Sequence, residues 1–151
     1  MSDPARVSRE PGAVVRLEAF SQGWAEAWAS ELNASDAYRT TAESWEGAVA
    51  LVLEDSDRAA RRAVLLDLWH GHCRSARTAD PDGLDEAAFV FTGGLAAWKQ
   101  VLATGGSPVH ALMTGSIRLA KGSLSALLPY ASAAKELLVL AGRVPTQFSE
   151  G

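Results

Sequence analysis

Cysteine is nearly absent from this chain: Cys73 is the only one in 151 residues. No intrachain disulfide can form, and the composition suits a reducing compartment. No apolar stretch approaches the roughly 18 residues of a membrane span, the Leu137–Ala141 run being far shorter. Positive charge is not in excess either: 14 Lys and Arg stand against 18 Asp and Glu, interspersed, for a net charge of -4. Without a basic stripe the chain is not expected to bind nucleic acid. Electrostatic docking on an anionic membrane is disfavoured on the same ground, leaving at most a transient hydrophobic contact. Met1 to Gly12 carry Asp3, Arg6, Arg9 and Glu10 and no apolar core of a signal peptide. The last residues, Ser149-Glu150-Gly151, do not form a peroxisomal address. The expected location is the cytoplasm.

Catalytic and metal-binding patterns are equally thin. The three histidines are His70, His72 and His110. His70 and His72 would face the same way on an extended strand, and Cys73 or Asp67 lies close enough to begin a zinc site. Gly71 between them argues for a turn instead, and no CxxC or HExxH pattern accompanies them, so no metal is expected. Gly105-Gly106-Ser107-Pro108-Val109 is the nearest approach to a nucleophile elbow, but it lacks the last glycine and has a proline where the helix should start. Cys73 beside His72 does not make a dyad, because neighbours on a strand point to opposite faces. The doublets Gly93-Gly94 and Gly105-Gly106 lack the spacing and the lysine of a phosphate loop. Asp80, Asp82, Asp85 and Glu86 lack calcium-loop spacing and read as a solvated turn. No cofactor is implied.

What the chain does have is apolar periodicity, with 48% of residues hydrophobic and 21% charged, enough for one domain with a sizeable core. After a punctuated polar start (residues 1–12, read as a flexible tail), Leu17, Phe20, Trp24, Trp28 and Leu32 recur at steps of three and four. They predict a long amphipathic helix ending near Asn33. Residues 35–44 are polar and read as a short helix or a loop. Val49, Leu51 and Leu53 alternate with Ala48, Ala50 and Val52, a strand apolar on both faces and so expected to be covered on both. After a Glu54–Asp57 turn, Val64, Leu66 and Leu68 mark a second strand, Cys73 to Thr78 a third, and Ala87 to Thr92 a fourth.

Helical spacing returns with Leu95, Trp98 and Leu102 and stops at Gly105-Gly106. Ser107 and Pro108 open a short helix through Leu112. Ile117 and Leu119 mark a fifth strand after Gly115, and Ser123 caps a last helix that Pro129 should kink or break. The fold class is therefore α+β, a five-stranded and mainly antiparallel sheet covered by helices. The domain is taken as residues 13–143, with 144–151 as a C-terminal tail. Five tryptophans are many for this length, and each is explained by helix or strand periodicity as core. With so little polar chemistry, lining a pocket is the remaining use for large side chains.

Residues 89–102, FVFTGGLAAWKQVL, resemble the strand-then-helix segment of the sterol carrier protein type 2 family, where a Trp-Lys pair commonly falls in that helix. Residues 108–124, PVHALMTGSIRLAKGSL, follow with the family's short helix, glycine, alternating strand and Lys-Gly step into the last helix. Leu128-Pro129-Tyr130 through Leu137 resembles bacterial and archaeal members. The likeness is specific over about residues 85–140; over 13–80 only the order of elements matches. It implies a five-stranded sheet around an internal hydrophobic tunnel that holds a fatty acid, fatty acyl-CoA, sterol or similar lipid, without catalytic residues. Carried over, the wall residues are Phe91, Trp98, Leu102, Leu112, Met113, Leu119, Leu124, Leu127, Leu128, Tyr130, Ala134 and Leu138.

Two other readings stay open. An enzyme acting in the same pocket would need an inward polar group, with His70, His72, His110, Asp67 and Tyr130 as candidates. An interaction module would show a solid core and an exposed apolar patch. Dimerisation fits all three. A dry apolar cavity of about 300 Å³ would cost on the order of 7 kcal/mol, comparable to a whole domain's stability. A lipid site is therefore expected to be filled, hydrated or partly collapsed.

Overall fold

The computed structural model describes residues 16–54, 62–80, 83–104 and 108–148. The expected N-terminal tail, the Gly105-Gly106 stop, the Ser107 cap and most of the turn after Glu54 lie outside the described residues. In chain order the elements are β1 (Leu17–Glu18), α1 (Gln22–Ala34), α2 (Asp36–Thr41), β2 (Glu46–Glu54), β3 (Arg62–Trp69), β4 (His72–Ala79) and β5 (Ala87–Gly94). Then follow α3 (Leu95–Thr104), α4 (Pro108–Thr114), β6 (Ile117–Lys121), α5 (Leu124–Leu127), a 3₁₀ turn over Leu128–Tyr130, α6 (Ala131–Arg143) and β7 (Thr146–Gln147).

The five long strands form one sheet in the order β4-β3-β2-β5-β6. Antiparallel pairing joins β4 to β3, β3 to β2 and β5 to β6, while β2 and β5 run parallel. The alternation read from the sequence sorts the two faces. Val49, Leu51, Leu53, Phe89 and Phe91 enter the main core with the helices, whereas Ala48, Ala50, Val52, Leu65 and Val90 form a second buried layer. Both faces of β2 are thus buried, as its unbroken apolar run requires.

The first helix corrects the sequence reading. The apolar period runs unbroken from Leu17, but the helix begins only at Gln22, because Ser21 is its cap and accepts a hydrogen bond from the Trp24 backbone N–H at 3.2 Å. Phe20 lies just before it in a left-handed conformation, φ 64°. Its ring still reaches the core, stacked on Trp24 at 5.1 Å. Leu17 and Glu18 instead pair in parallel with Thr146 and Gln147, and Val144 is buried. Within the segment taken as a C-terminal tail from residue 144, Thr146 and Gln147 thus form a short strand, β7.

Pro129 has the expected effect. It sits in a 3₁₀ turn that separates α5 from α6, and Ser123 caps α5 by accepting from the Ala126 N–H at 3.2 Å. The joined run Leu124–Arg143 is long and apolar enough to cross a bilayer by length and composition, against the expectation that no stretch would be. Here it is broken at the proline, and α6 buries Ala133, Ala134, Leu137, Leu138, Leu140 and Ala141 in the core.

Candidate binding site

The large side chains meet where α3 and α6 cross the inner face of the sheet. Trp98, 1% exposed, donates its indole N–H to the Val52 carbonyl at 2.9 Å. Trp28, 0% exposed, donates to the Leu137 carbonyl at 2.9 Å and so ties α1 to α6. Trp24 donates to Thr146 Oγ1 at 2.9 Å. Each ring thereby buries its apolar surface while its single polar atom is satisfied.

Between these rings and the sheet lies an apolar gap. Phe91, Trp98, Ala134 and Leu138 line it, together with Leu51, Pro108 and Leu137. Its volume is only about 10 Å³, close to the room of a single water. No side chain in its lining carries a charge.

A larger hollow of about 370 Å³ lies beside it against β6, walled by Leu112, Ile117, Leu119, Gly122 and Leu124 with Arg118 at its side. Leu119 is the cross-strand partner of Phe91, so one residue lining the outer hollow is paired with one lining the gap. Gly122 closes the outer hollow at φ 91°, where a Cβ would sit 2.5 Å from the Phe89 ring. Only glycine lets the chain turn there.

The twelve wall residues carried over from the family divide by position. Phe91, Trp98, Ala134 and Leu138 reach the gap, and Leu112, Leu119 and Leu124 the outer hollow. Leu127 is fully buried beneath them. Tyr130 stacks on Trp45 at 5.5 Å and 7°. Leu102 lines a separate hollow between α3 and the end of α6. Met113 and Leu128 are 74% and 50% exposed and belong to the surface. With Leu124, 38% exposed, they are three of the four exposed large apolar side chains among the described residues, and Leu124 also lines the outer hollow. Leu51, Pro108 and Leu137 were not foreseen as lining. Leu137 could have been, since it stands three residues from Ala134 on one helical face.

The polar candidates stay outside this space. His70 sits at the β3–β4 turn, with Nδ1 2.7 Å from the Glu43 carbonyl and Nε2 2.9 Å from Glu46. Asp67 is held by Arg74 through two hydrogen bonds of 3.1 and 3.2 Å. His72 and His110 are exposed. Among the described residues no three His, Cys, Asp or Glu side chains gather into a metal-holding group.

Cys73 is buried, and desolvation chiefly pushes its thiol up to about 11. At pH 8 the folded protein should resist iodoacetamide, while the urea-unfolded chain should be labelled rapidly; equal rates would show an accessible thiolate. The same shift has a sign for stability. The folded value lies above the ordinary 9.0, so the contribution is complete below pH 9 and is lost as pH rises towards 11. Burial also raises the Tyr38 phenol, whose hydroxyl has no partner among the described residues. It therefore weakens the fold in the same direction above its ordinary 10.0.

No protein-family model matches the chain, and no curated protein matches it at a significant level. Solved structures do. A crystal structure of sterol carrier protein 2 is 45% identical, with a TM-score of 0.76 over 84% of this chain and 99% of that one. A conserved hypothetical protein of Thermus thermophilus, suggested to be a sterol carrier protein, is 42% identical, with a TM-score of 0.77 over 91% and 97%. Sterol carrier protein 2 from Yarrowia lipolytica, in its apo form, is 16% identical with a TM-score of 0.50 over 78% and 88%, a likeness of fold alone.

Proposed function

The chain belongs to the sterol carrier protein 2 family, and on that premise we propose that it binds and carries a lipid with a long apolar chain between α6 and the sheet. The observation that carries the reading is the wholly apolar gap at Phe91, Trp98, Ala134 and Leu138, one residue pair away from the outer hollow. The carrier domain is residues 13–143 together with β7. It makes and breaks no bond in its passenger and works in the cytoplasm, where its one thiol stays reduced.

The gap is narrow, about 10 Å³. An acyl chain needs a pocket of at least about 300 Å³. Held open and dry, that space would cost on the order of 7 kcal/mol. A gap of about 10 Å³ avoids that cost. Burial of roughly 14 methylenes returns about 11 kcal/mol gross, against association and ordering costs of about 4–15 kcal/mol. The net affinity is modest, as a carrier that must release its passenger requires. The exposed Met113, Leu124 and Leu128 form the apolar lip over which the chain passes. Met113 suits a permissive lip because its unbranched side chain adapts to different shapes.

The test is native mass spectrometry of freshly purified protein, followed by organic extraction of any passenger. A stoichiometric fatty acid, acyl-CoA or sterol is the expected result and names the class. Protein at bare mass that also takes up no fluorescent fatty acid or sterol would overturn the proposal.

A further inference from the structure

Two strands end the large sheet, β4 on one side and β6 on the other. An edge strand presents a row of N–H and C=O groups that can template pairing with another chain. The two edges differ in what they offer. β6 is five residues long, carries Arg118 and Lys121, and stands between Gly115 and Gly122, both at positive φ. A short, charged strand gives a partner little to pair with. β4 is eight residues long, and its arginines already have counter-ions, Asp67 for Arg74 and Glu86 for Arg77. Its own charges are therefore a weak guard.

The outer edge of β4 is closed instead by two side-chain amides of α1. Asn33 Oδ1 accepts from the Cys73 N–H at 2.8 Å, and Nδ2 donates to the Cys73 carbonyl at 3.0 Å. Gln22 Oε1 accepts from the Thr78 N–H at 3.0 Å, and Nε2 donates to the Ala76 carbonyl at 3.2 Å. Glu26 fixes that orientation by accepting from the same Nε2 at 2.8 Å. A primary amide holds an acceptor and a donor side by side, so each reproduces the two-point contact of a neighbouring strand.

The spacing fits as well. Gln22 and Asn33 stand near opposite ends of α1, about 16 Å apart along a helix axis. Cys73 and Thr78 are about 17 Å apart along an extended strand. Helix and strand thus lie side by side, clamped at both ends. Both amide side chains are exposed, where water would satisfy them too, so stability alone does not call for these contacts.

We propose that Gln22 and Asn33 act together as an edge lock, which keeps the sheet from adding β4 of a second copy of this chain. With the lock removed, two β4 edges can pair antiparallel about a twofold axis. Sedimentation velocity over a wide range of protein concentration tests this, together with hydrogen exchange at the Cys73 and Thr78 amides. Q22A/N33A should self-associate at least roughly tenfold more tightly than wild type. Its Cys73 and Thr78 amides should exchange fast when dilute and become protected again when concentrated, as the second copy takes the place of the lock. Both residues are exposed, so their truncation leaves the core intact. Val64→Ala weakens the buried core with both amides in place, and should self-associate no more than wild type. Equal association by Q22A/N33A and wild type would overturn the proposal, as would exchange at the two amides that does not depend on concentration. Association by Val64→Ala to the same degree would also overturn it, by assigning the effect to lost stability.

Discussion

Replacing Trp28 by alanine should lower the free energy of unfolding by about 4 kcal/mol, the middle of the range for a large aromatic deleted from a core. For a domain of this size the thermal midpoint should fall by roughly 8–16 °C. The indole is fully buried, packs against Trp24 at 5.2 Å between ring centres, and holds the Leu137 carbonyl at 2.9 Å. Its removal therefore opens a cavity and also deletes a side-chain hydrogen bond at the seam where α1 meets α6. Trp28→Phe separates the two effects. It keeps most of the volume but loses the indole hydrogen bond, and should cost about 0.5–1.5 kcal/mol for that bond. Thermal and urea unfolding followed by circular dichroism measure both. A loss under about 1 kcal/mol for Trp28→Ala would mean that α6 is not anchored through this ring.

The same seam shows how far the sequence could be read. Strand positions were legible because alternation at Val49, Leu51 and Leu53, and again at Val64, Leu66 and Leu68, leaves only one way to bury those side chains. The break at Pro129 and the Ser123 cap were legible because each rests on local backbone chemistry. The start of α1 was not. Leu17 and Phe20 keep the helical period of Trp24 and Trp28, yet they reach the core from a short strand and from a left-handed turn. Periodicity reports burial, and burial does not require a continuous helix. Pairing of β1 with β7 was invisible for a related reason: it joins two-residue segments more than a hundred residues apart, too short to carry a pattern.

The lining of the apolar gap was legible in part. Resemblance over residues 85–140 led to Phe91, Trp98, Ala134 and Leu138, while Leu51, on a strand outside that stretch, needed the register of β2 beside β5 to place it opposite Phe91. Met113 and Leu128 show the other difficulty. Exposed and buried apolar residues look alike in sequence, and only the fold separates them.

That separation makes the binding mode testable at Ala134. This residue is 1% exposed, on the face of α6 that lines a gap of about 10 Å³. Ala134→Leu adds three carbons where no room exists, at a cost of about 1–3 kcal/mol in stability, which leaves most of a domain's margin. A passenger that seats itself by lifting α6 from Phe91 must then compete with that added bulk. Saturable uptake of a fluorescent fatty acid should weaken at least tenfold, a change of about 1.4 kcal/mol. Leu138→Ala alters the same wall in the opposite sense: it should cost about 2–5 kcal/mol in the empty protein, much of it recovered when a lipid fills the cavity. Its thermal midpoint should therefore rise more on lipid addition than that of wild type. Unchanged uptake by Ala134→Leu, with no added lipid stabilisation of Leu138→Ala, would move the passenger out of the gap and into the hollow against β6. There Leu119→Trp would be the substitution that blocks it, because Leu119 faces that larger space from the strand next to Phe91.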